Sequence, residues 1–357
     1  MAQRTGSRSP SQVRKRASQA SSAAVTAAAA SSAPCASPGC CAKACLLVSC
    51  FFVLAIAALS FTFAFTAFTV PSSGLVLITG SSTGIGRAAA EHIARLHPHL
   101  TVLAGVRRPS DAREIESVNL PNLRPLDIDV AQHESVARAV ARIRELARTT
   151  PLVGVVNNAG LARGPTPVEF HNFDDAKAVF NVNFFGAMRV TQEALPLLRE
   201  SRGRIVQVSS VFGALAPPQG GVYSASKFAL EALSDSLRRE VGPLGVSVSV
   251  VMPGAVKTPI FSTLRNDSIS AAVERNEIKA RVYPHLHTAA DVKNEAELER
   301  LADSPSVTND AIEHALTARY PRTRYLVANI VGAPASVLAR IAWLLPDRVF
   351  DALLSAK

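Results

Sequence analysis

"LVLITGSSTGIGRAAAEHIA", Leu75 to Ala94, changes character at its sixth residue. Apart from Thr79 its first five residues are apolar, a short run suited to a buried strand. Gly80, Gly84 and Gly86 then lead into an alanine-rich helical pattern. Glycines at such a junction permit a tight turn and close approach to the backbone. The helix N-terminus beyond them offers free N–H groups and positive potential to a pyrophosphate. The G-x-x-x-G-x-G spacing differs from the commoner dinucleotide fingerprint, and no Gly-Lys-Ser/Thr follows to make a P-loop. On its own, a glycine turn between strand and helix can be only a turn.

Working outward, the same alternation repeats. Apolar runs occur at 75–79, 101–106, 152–156, 204–209 and 246–251, with helical stretches at Ile85–Leu96, Glu134–Ala147, Phe173–Leu198 and Tyr223–Val241 between them. Short, nearly all-apolar strands alternating with helices predict an α/β fold: a doubly wound parallel sheet, Rossmann-type, covered on both faces. One such domain is expected over 75–330, with no repeat at solenoid spacing.

Charge and cysteines confine the remaining classes. Of 38 basic and 28 acidic residues, six basic residues and no acid fall within 1–70, so the rest of the chain carries only +4 of the net +10. Such a mixed surface argues against nucleic-acid binding. All five cysteines (Cys35, Cys40, Cys41, Cys45, Cys50) precede residue 51, match no zinc template, and leave the rest free of disulfides. The eight histidines, His92, His97 and His99 among them, show no ligand spacing tied to the expected crevice. They read as surface residues, and no metal is expected.

The N-terminal 43 residues are Ala/Ser/Arg-rich and aperiodic, a disordered basic leader. Residues 44–70 hold no charge and exceed the roughly 20 apolar residues a spanning helix needs. A single-pass transmembrane anchor is expected, in an endomembrane such as the endoplasmic reticulum. The acid-free leader leaves an organelle transit peptide as the alternative.

Further stations fall at the carboxyl ends of the expected strands, where open α/β sheets bind ligands. The second strand ends in "AGVRRP": Arg107 and Arg108 either offer cations to a 2′-phosphate or are two solvated surface arginines. The fourth runs into Asn157-Asn158-Ala159-Gly160, and Ser209-Ser210 closes the next. The helix starting near Tyr223 carries Lys227 four residues on, stacked on the same face.

TGSSTGIG (79–86), NNAG (157–160), Ser210, Tyr223-x3-Lys227 and PGAVKT (253–258), in this order, resemble the short-chain dehydrogenase/reductase family across about 75–330. Residues 223–254 and "ALTARYPRTRYLV" (315–327) are most similar to its retinol and hydroxysteroid dehydrogenase-like branch. The resemblance implies that Tyr223 is the general acid/base. Lys227 would be its electrostatic partner and ribose contact, and Ser210 the hydrogen-bond donor to the substrate oxygen. Asn183, in "FNVNFFG", matches the asparagine that holds a proton-relay water near the lysine. Asp129 matches an adenine contact and Thr258 a residue near the nicotinamide amide. Gly80, Ser82, Gly84, Ile85, Gly86, Arg107, Asn158, Ala159, Gly160, Pro253, Gly254 and Val256 complete the implied cofactor surface. Many retinol dehydrogenase-like members carry an acid after the second strand and use NAD. Val106-Arg107 is more like the NADP users, so NADP is the expected cofactor and NAD the alternative.

The chemistry explains the residue types. A free phenol, with a pKa of about 10, is a poor base near neutrality. A nearby ammonium is expected to favour phenolate, and an oxidised nicotinamide's charge to add to it. The implied reaction interconverts a lipophilic alcohol and its ketone or aldehyde, retinoid- or steroid-like. A ketoacyl or sphingoid lipid reductase of the same fold, or a non-catalytic sensor or scaffold, remains open, as does a homodimer. Residues 331–357 predict short amphipathic helices broken at Pro346. Leu338, Ile341, Trp343, Leu345, Val349, Phe350 and Leu353 would dock on the domain or line a membrane-facing entrance.

Overall fold

Strand β1 (Gly74–Thr79) is buried along its whole length, as are β4 (Leu152–Asn157), β5 (Arg204–Val208) and β6 (Ser247–Pro253). Strands without a polar face require cover on both sides, which parallel crossovers supply. In the computed structural model, residues 67–258, 281–283, 300–330 and 333–355 are described. Together with β2 (Leu100–Val106), β3 (Leu123–Asp127) and β7 (Arg324–Val327) these strands form a seven-stranded parallel sheet in the order β3-β2-β1-β4-β5-β6-β7.

One face is covered by α1 (Gly84–Leu96), α2 (Pro109–Ser117) and α7 (Ser306–Thr317), whose Ile93, Ile115 and Ile312 enter one core with Val76, Val102 and Val206. On the other, α3 (His133–Leu146) and α5 (Ala187–Ser201) bring Ile143, Val190 and Leu198 against Leu77, Leu103 and Val155. The strand order reverses between β1 and β4, so their carboxyl ends, Thr79-Gly80 and Asn157-Asn158, diverge into a crevice.

Two local departures from the sequence reading have physical causes. The long helix expected over 173–198 is interrupted: α4 (Phe173–Phe180) and α5 flank a π-helical segment, Asn181–Gly186. Wider turns of this kind cluster at functional sites, and Asn183 lies within this one. The expected helix through Val70 does not reach 67–70, which has no helical structure. There the Phe68 amide donates to the Arg319 carbonyl, and buried Arg204 donates to the Thr69 carbonyl. The rest of the expected anchor and the leader lie outside the described residues. Among the described residues no helix is long and apolar enough to cross a membrane.

Beyond β7 the chain forms a small hairpin, β8 (Asn329–Ile330) and β9 (Ala333–Pro334), then α8 (Ala335–Leu344) and α9 (Asp347–Ser355), with Pro346 between the two helices. Ala335, Leu338, Ala339, Ala342 and Phe350 dock on Val211, Phe212 and Leu215, the turn directly after Ser210. Trp343 and Leu344, each 82% exposed, face outward.

Candidate active site

The glycine turn is held from behind. The Thr79 hydroxyl accepts the backbone N–H groups of Asn158 and Ala159, both at 3.1 Å. The Asn158 amide donates back to the carbonyls of Thr79 (2.9 Å) and Gly80 (3.1 Å). Asn158 thereby bolts β4 to the turn. Gly80 (φ 68°) and Gly84 (φ 59°) hold left-handed backbone there. Thr83, the N-cap of α1, makes no side-chain cap, and no acid sits in the helix's first turn. The opening N–H groups of α1 and their positive potential are thus directed to an acceptor from outside the helix. This cradle fits a pyrophosphate.

It forms one end of a cleft of about 510 Å³. Gly80, Ser82, Gly84, Ile85, Arg107, Asp129, Asn158, Ala159, Gly160, Tyr223, Lys227 and Thr258 all line this cleft, so turns distant in sequence share one wall. The other singled-out residues stand behind it or beside it. Gly86 packs α1 against the turn: a Cβ there would lie 2.3 Å from both the Gly80 carbonyl oxygen and the Asn158 amide nitrogen. Pro253 ends β6, Gly254 packs under the Asn329 carbonyl, and Val256 bridges to Asp303. The two arginines part company. Arg108 is taken up by Asp111, its Nε 3.0–3.2 Å from the two carboxylate oxygens. Arg107 is exposed on the cleft and has no ion pair among the described residues.

Helix α6 (Gly221–Val241) supplies the titratable pair. Its first turn brings the Tyr223 phenol beside the Ser210 hydroxyl at the end of β5. The Phe212 amide donates to the Ser210 oxygen at 3.2 Å, which leaves the serine proton available to the phenol. Lys227 is buried, donates to the Val208 carbonyl at 3.0 Å and lies 5.7 Å from the Tyr223 ring centroid. Asn183 is 1% exposed; it accepts from the Leu161 amide at 2.7 Å and donates to the Leu161 carbonyl and the Ser226 hydroxyl. A Cβ on Gly160 would stand 3.8 Å from the Asn183 side-chain oxygen and 3.9 Å from Lys227 Nζ, so the two groups flank that glycine.

The electrostatics amend the expectation of a lowered phenol. Burial pushes Tyr223 up to about 12, and the Ser210 hydrogen bond pulls only partly against it. The Lys227 ammonium is turned toward the Val208 carbonyl. Burial pushes Lys227 itself down to about 8, opposed by the Glu231 carboxylate. The pair therefore rests as a neutral phenol, suited to giving a proton, beside a lysine that loses its charge within an accessible pH range. Favouring phenolate would take further positive charge in the cleft.

Glu231 was not among the residues read from the sequence, though its spacing, four after Lys227 and eight after Tyr223, places it on the same helix face. It is buried and bonded to Arg324 at 3.1 Å, with Asp235 on the same arginine. Replacing Glu231 with glutamine removes the charge that sustains the Lys227 ammonium. Lysine deprotonation, and with it the alkaline limb of kcat/KM against pH, is expected at lower pH than in the parent. A pH–rate profile checks this.

Residues 74–269 match the family model for short chain dehydrogenase. Retinol dehydrogenase 5 of Mus musculus is 36% identical over 299 residues, 80% of this chain and 88% of its own. The 17-beta-hydroxysteroid dehydrogenase type 6 of Rattus norvegicus is 34% identical over 292 residues, 78% of this chain and 87% of its own. A short chain dehydrogenase from Burkholderia cenocepacia J2315, solved in complex with NADP, superposes with a TM-score of 0.58 at 24% identity, covering 80% of this chain and 98% of its own; at that identity the likeness is one of fold. With the cradle, the crevice and the Ser-Tyr-Lys cluster in place, the chain belongs to the short-chain dehydrogenase family of oxidoreductases, in its retinol and hydroxysteroid dehydrogenase branch.

Proposed function

We propose that the protein is a nicotinamide-dependent oxidoreductase that interconverts a lipophilic alcohol, of retinoid or steroid type, with its ketone or aldehyde. The observation that carries the reading is the Tyr223 phenol, beside Ser210 and lining the same cleft as Lys227 and the pyrophosphate cradle. The cofactor supplies the hydride chemistry when bound. Gly80, Gly84 and the α1 N-terminus would hold its pyrophosphate, Asp129 and Arg107 its adenosine, and Thr258 and Lys227 its nicotinamide half. Ser210 orients the substrate oxygen. Tyr223 moves the proton at that oxygen, as donor in reduction and as acceptor in oxidation.

An apolar surround supports a lipophilic substrate. The α8 face packs on the turn after Ser210, and Trp343 and Leu344 project outward beside it. The charge-free run from Ala44 supports a single-pass anchor in an endomembrane. The deciding assay is a panel of lipophilic alcohols and ketones with NADH and with NADPH. Turnover of small hydrophilic sugars alone overturns the reading.

Exposed Arg107, with Arg108 neutralised by Asp111, supports NADP over NAD. A cationic hydrogen bond to phosphate contributes about 1.5–3 kcal/mol. Arg107→Ala is therefore expected to raise KM for NADPH by roughly 10- to 100-fold and to leave KM for NADH nearly unchanged. Equal effects on both cofactors would return Arg107 to the solvated surface.

A further inference from the structure

Histidines separate in sequence meet at the end of α1. His92 Nε2 lies 2.9 Å from Glu313 Oε2, and His97 Nε2 lies 3.0 Å from Glu313 Oε1, so two imidazoles converge on one carboxylate of α7. Asp310, one turn earlier on α7, adds a second carboxylate: ligand atoms of His92, Asp310 and Glu313 all fall within 4.8 Å of one another. His99 stacks edge-on against His97 with ring centroids 5.5 Å apart. None of these residues lines the nucleotide cleft.

We propose that His92, Glu313 and Asp310, with water as fourth ligand, bind one divalent transition-metal ion, Zn²⁺ by preference, which ties α7 to α1.

Tetrahedral zinc, with bonds of about 2.0–2.1 Å, sets its ligand atoms ~3.3 Å apart. The His92–Glu313 nitrogen–oxygen pair at 2.9 Å would open by only a few tenths of an ångström. Asp310 is exposed and free to turn inward by rotation about its own side-chain bonds. Mixed imidazole and carboxylate donors suit zinc, whereas magnesium and calcium take oxygen ligands. Two carboxylates balance the charge of the dication.

The scaffold around these donors is stiff. Ile93, beside His92, and Ile312, beside Glu313, are fully buried in one core cluster, so both helix backbones are fixed by packing. The role that follows is structural. Helix α7 is entered after residues 259–305, and α1 opens at the pyrophosphate cradle, so the ion would couple the downstream segment to the nucleotide half of the fold.

The test uses the full-length protein with its five cysteines alkylated in every sample, so that no thiolate binds metal. Titration with Co²⁺ is expected to give the visible absorption of four-coordinate cobalt at one equivalent. Zn²⁺ at a hundredfold excess over its Kd is expected to raise Tm by roughly 5 °C. His92→Ala and Glu313→Gln should abolish both signals, while His133→Ala, at the start of α3 against the opposite face of the sheet, should retain them. Glu313→Gln preserves volume and hydrogen bonding, so an unchanged metal-free Tm separates loss of a ligand from misfolding. Absence of both signals in the parent protein, or their persistence in the two ligand variants, overturns the proposal.

Discussion

Tyr223→Phe is expected to lower turnover by ~10²–10⁴-fold, the range ascribed to a positioned acid or base, with cofactor affinity left within about twofold. The substitution is unusually clean here. The ring keeps its edge-on contact with Phe212, at a centroid distance of 6.4 Å, and its place beside Lys227 Nζ. Only the oxygen that meets Ser210 is lost. Nothing in the pyrophosphate cradle touches that oxygen, because the cradle is built from Thr79, Gly80, Asn158 and the start of α1. Steady-state rates with the best substrate of the panel, alongside fluorescence titration with NADPH, measure the two quantities separately. A loss of ~10³ corresponds to roughly 4 kcal/mol of transition-state stabilisation. Unaltered turnover would remove the phenol from the mechanism and favour the sensor or scaffold reading.

The direction of proton transfer also bears on how this loss divides with pH. With the phenol at about 12 and no other base in hydrogen-bonding contact with it among the described residues, proton donation in reduction is available across the neutral range. Oxidation requires the phenolate and should rise with pH until Lys227, near 8, gives up its charge. The reductive and oxidative profiles of the parent protein should therefore differ in their acid limbs. Both should collapse in Tyr223→Phe.

Much of this site is legible in the chain because parallel strands announce themselves. β1, β4, β5 and β6 are buried on both faces, and the residue after each is delivered to the same sheet edge. The legibility fails where the physics is less regular. β3 reads "LRPLD", an edge strand whose proline and charges are tolerated because one side needs no partner, and no apolar run marks it. Asn183 reads as a surface or capping amide in an unbroken helix. The π segment turns it inward against Leu161 and Ser226, and no propensity encodes that register change. The phenol's resting state was equally hidden. Spacing on a helix places Lys227 near Tyr223 but not the direction of its ammonium, which the Val208 carbonyl captures. The His92–Glu313 contact joins residues 221 positions apart, beyond the reach of local pattern.

Gly86→Ala is expected to weaken cofactor binding by more than tenfold and to lower stability by about 1–3 kcal/mol, the usual range for overpacking a close contact. The helix itself tolerates alanine better than glycine, so propensity alone predicts the opposite sign. Packing decides. The added methyl carbon would stand 2.3 Å from the Gly80 carbonyl oxygen and 2.3 Å from the Asn158 amide nitrogen, with the Gly80 carbonyl carbon at 2.9 Å. The Asn158 side chain can swing away, but only by giving up its hydrogen bonds to Thr79 and Gly80. The Gly80 carbonyl is backbone, fixed in a turn with φ 68°, and can retreat only if the turn opens. Either route spreads β1 from β4 at the point where the sheet order reverses, and it moves the first N–H groups of α1 away from a pyrophosphate. The result should be a lower Tm together with a raised Kd for NADPH, and kcat at saturating cofactor should fall much less than in Tyr223→Phe. Gly86→Ser should behave worse, since it adds an oxygen to the same collision. An alanine variant that binds NADPH as tightly as the parent would show that the glycine turn does not hold the cofactor.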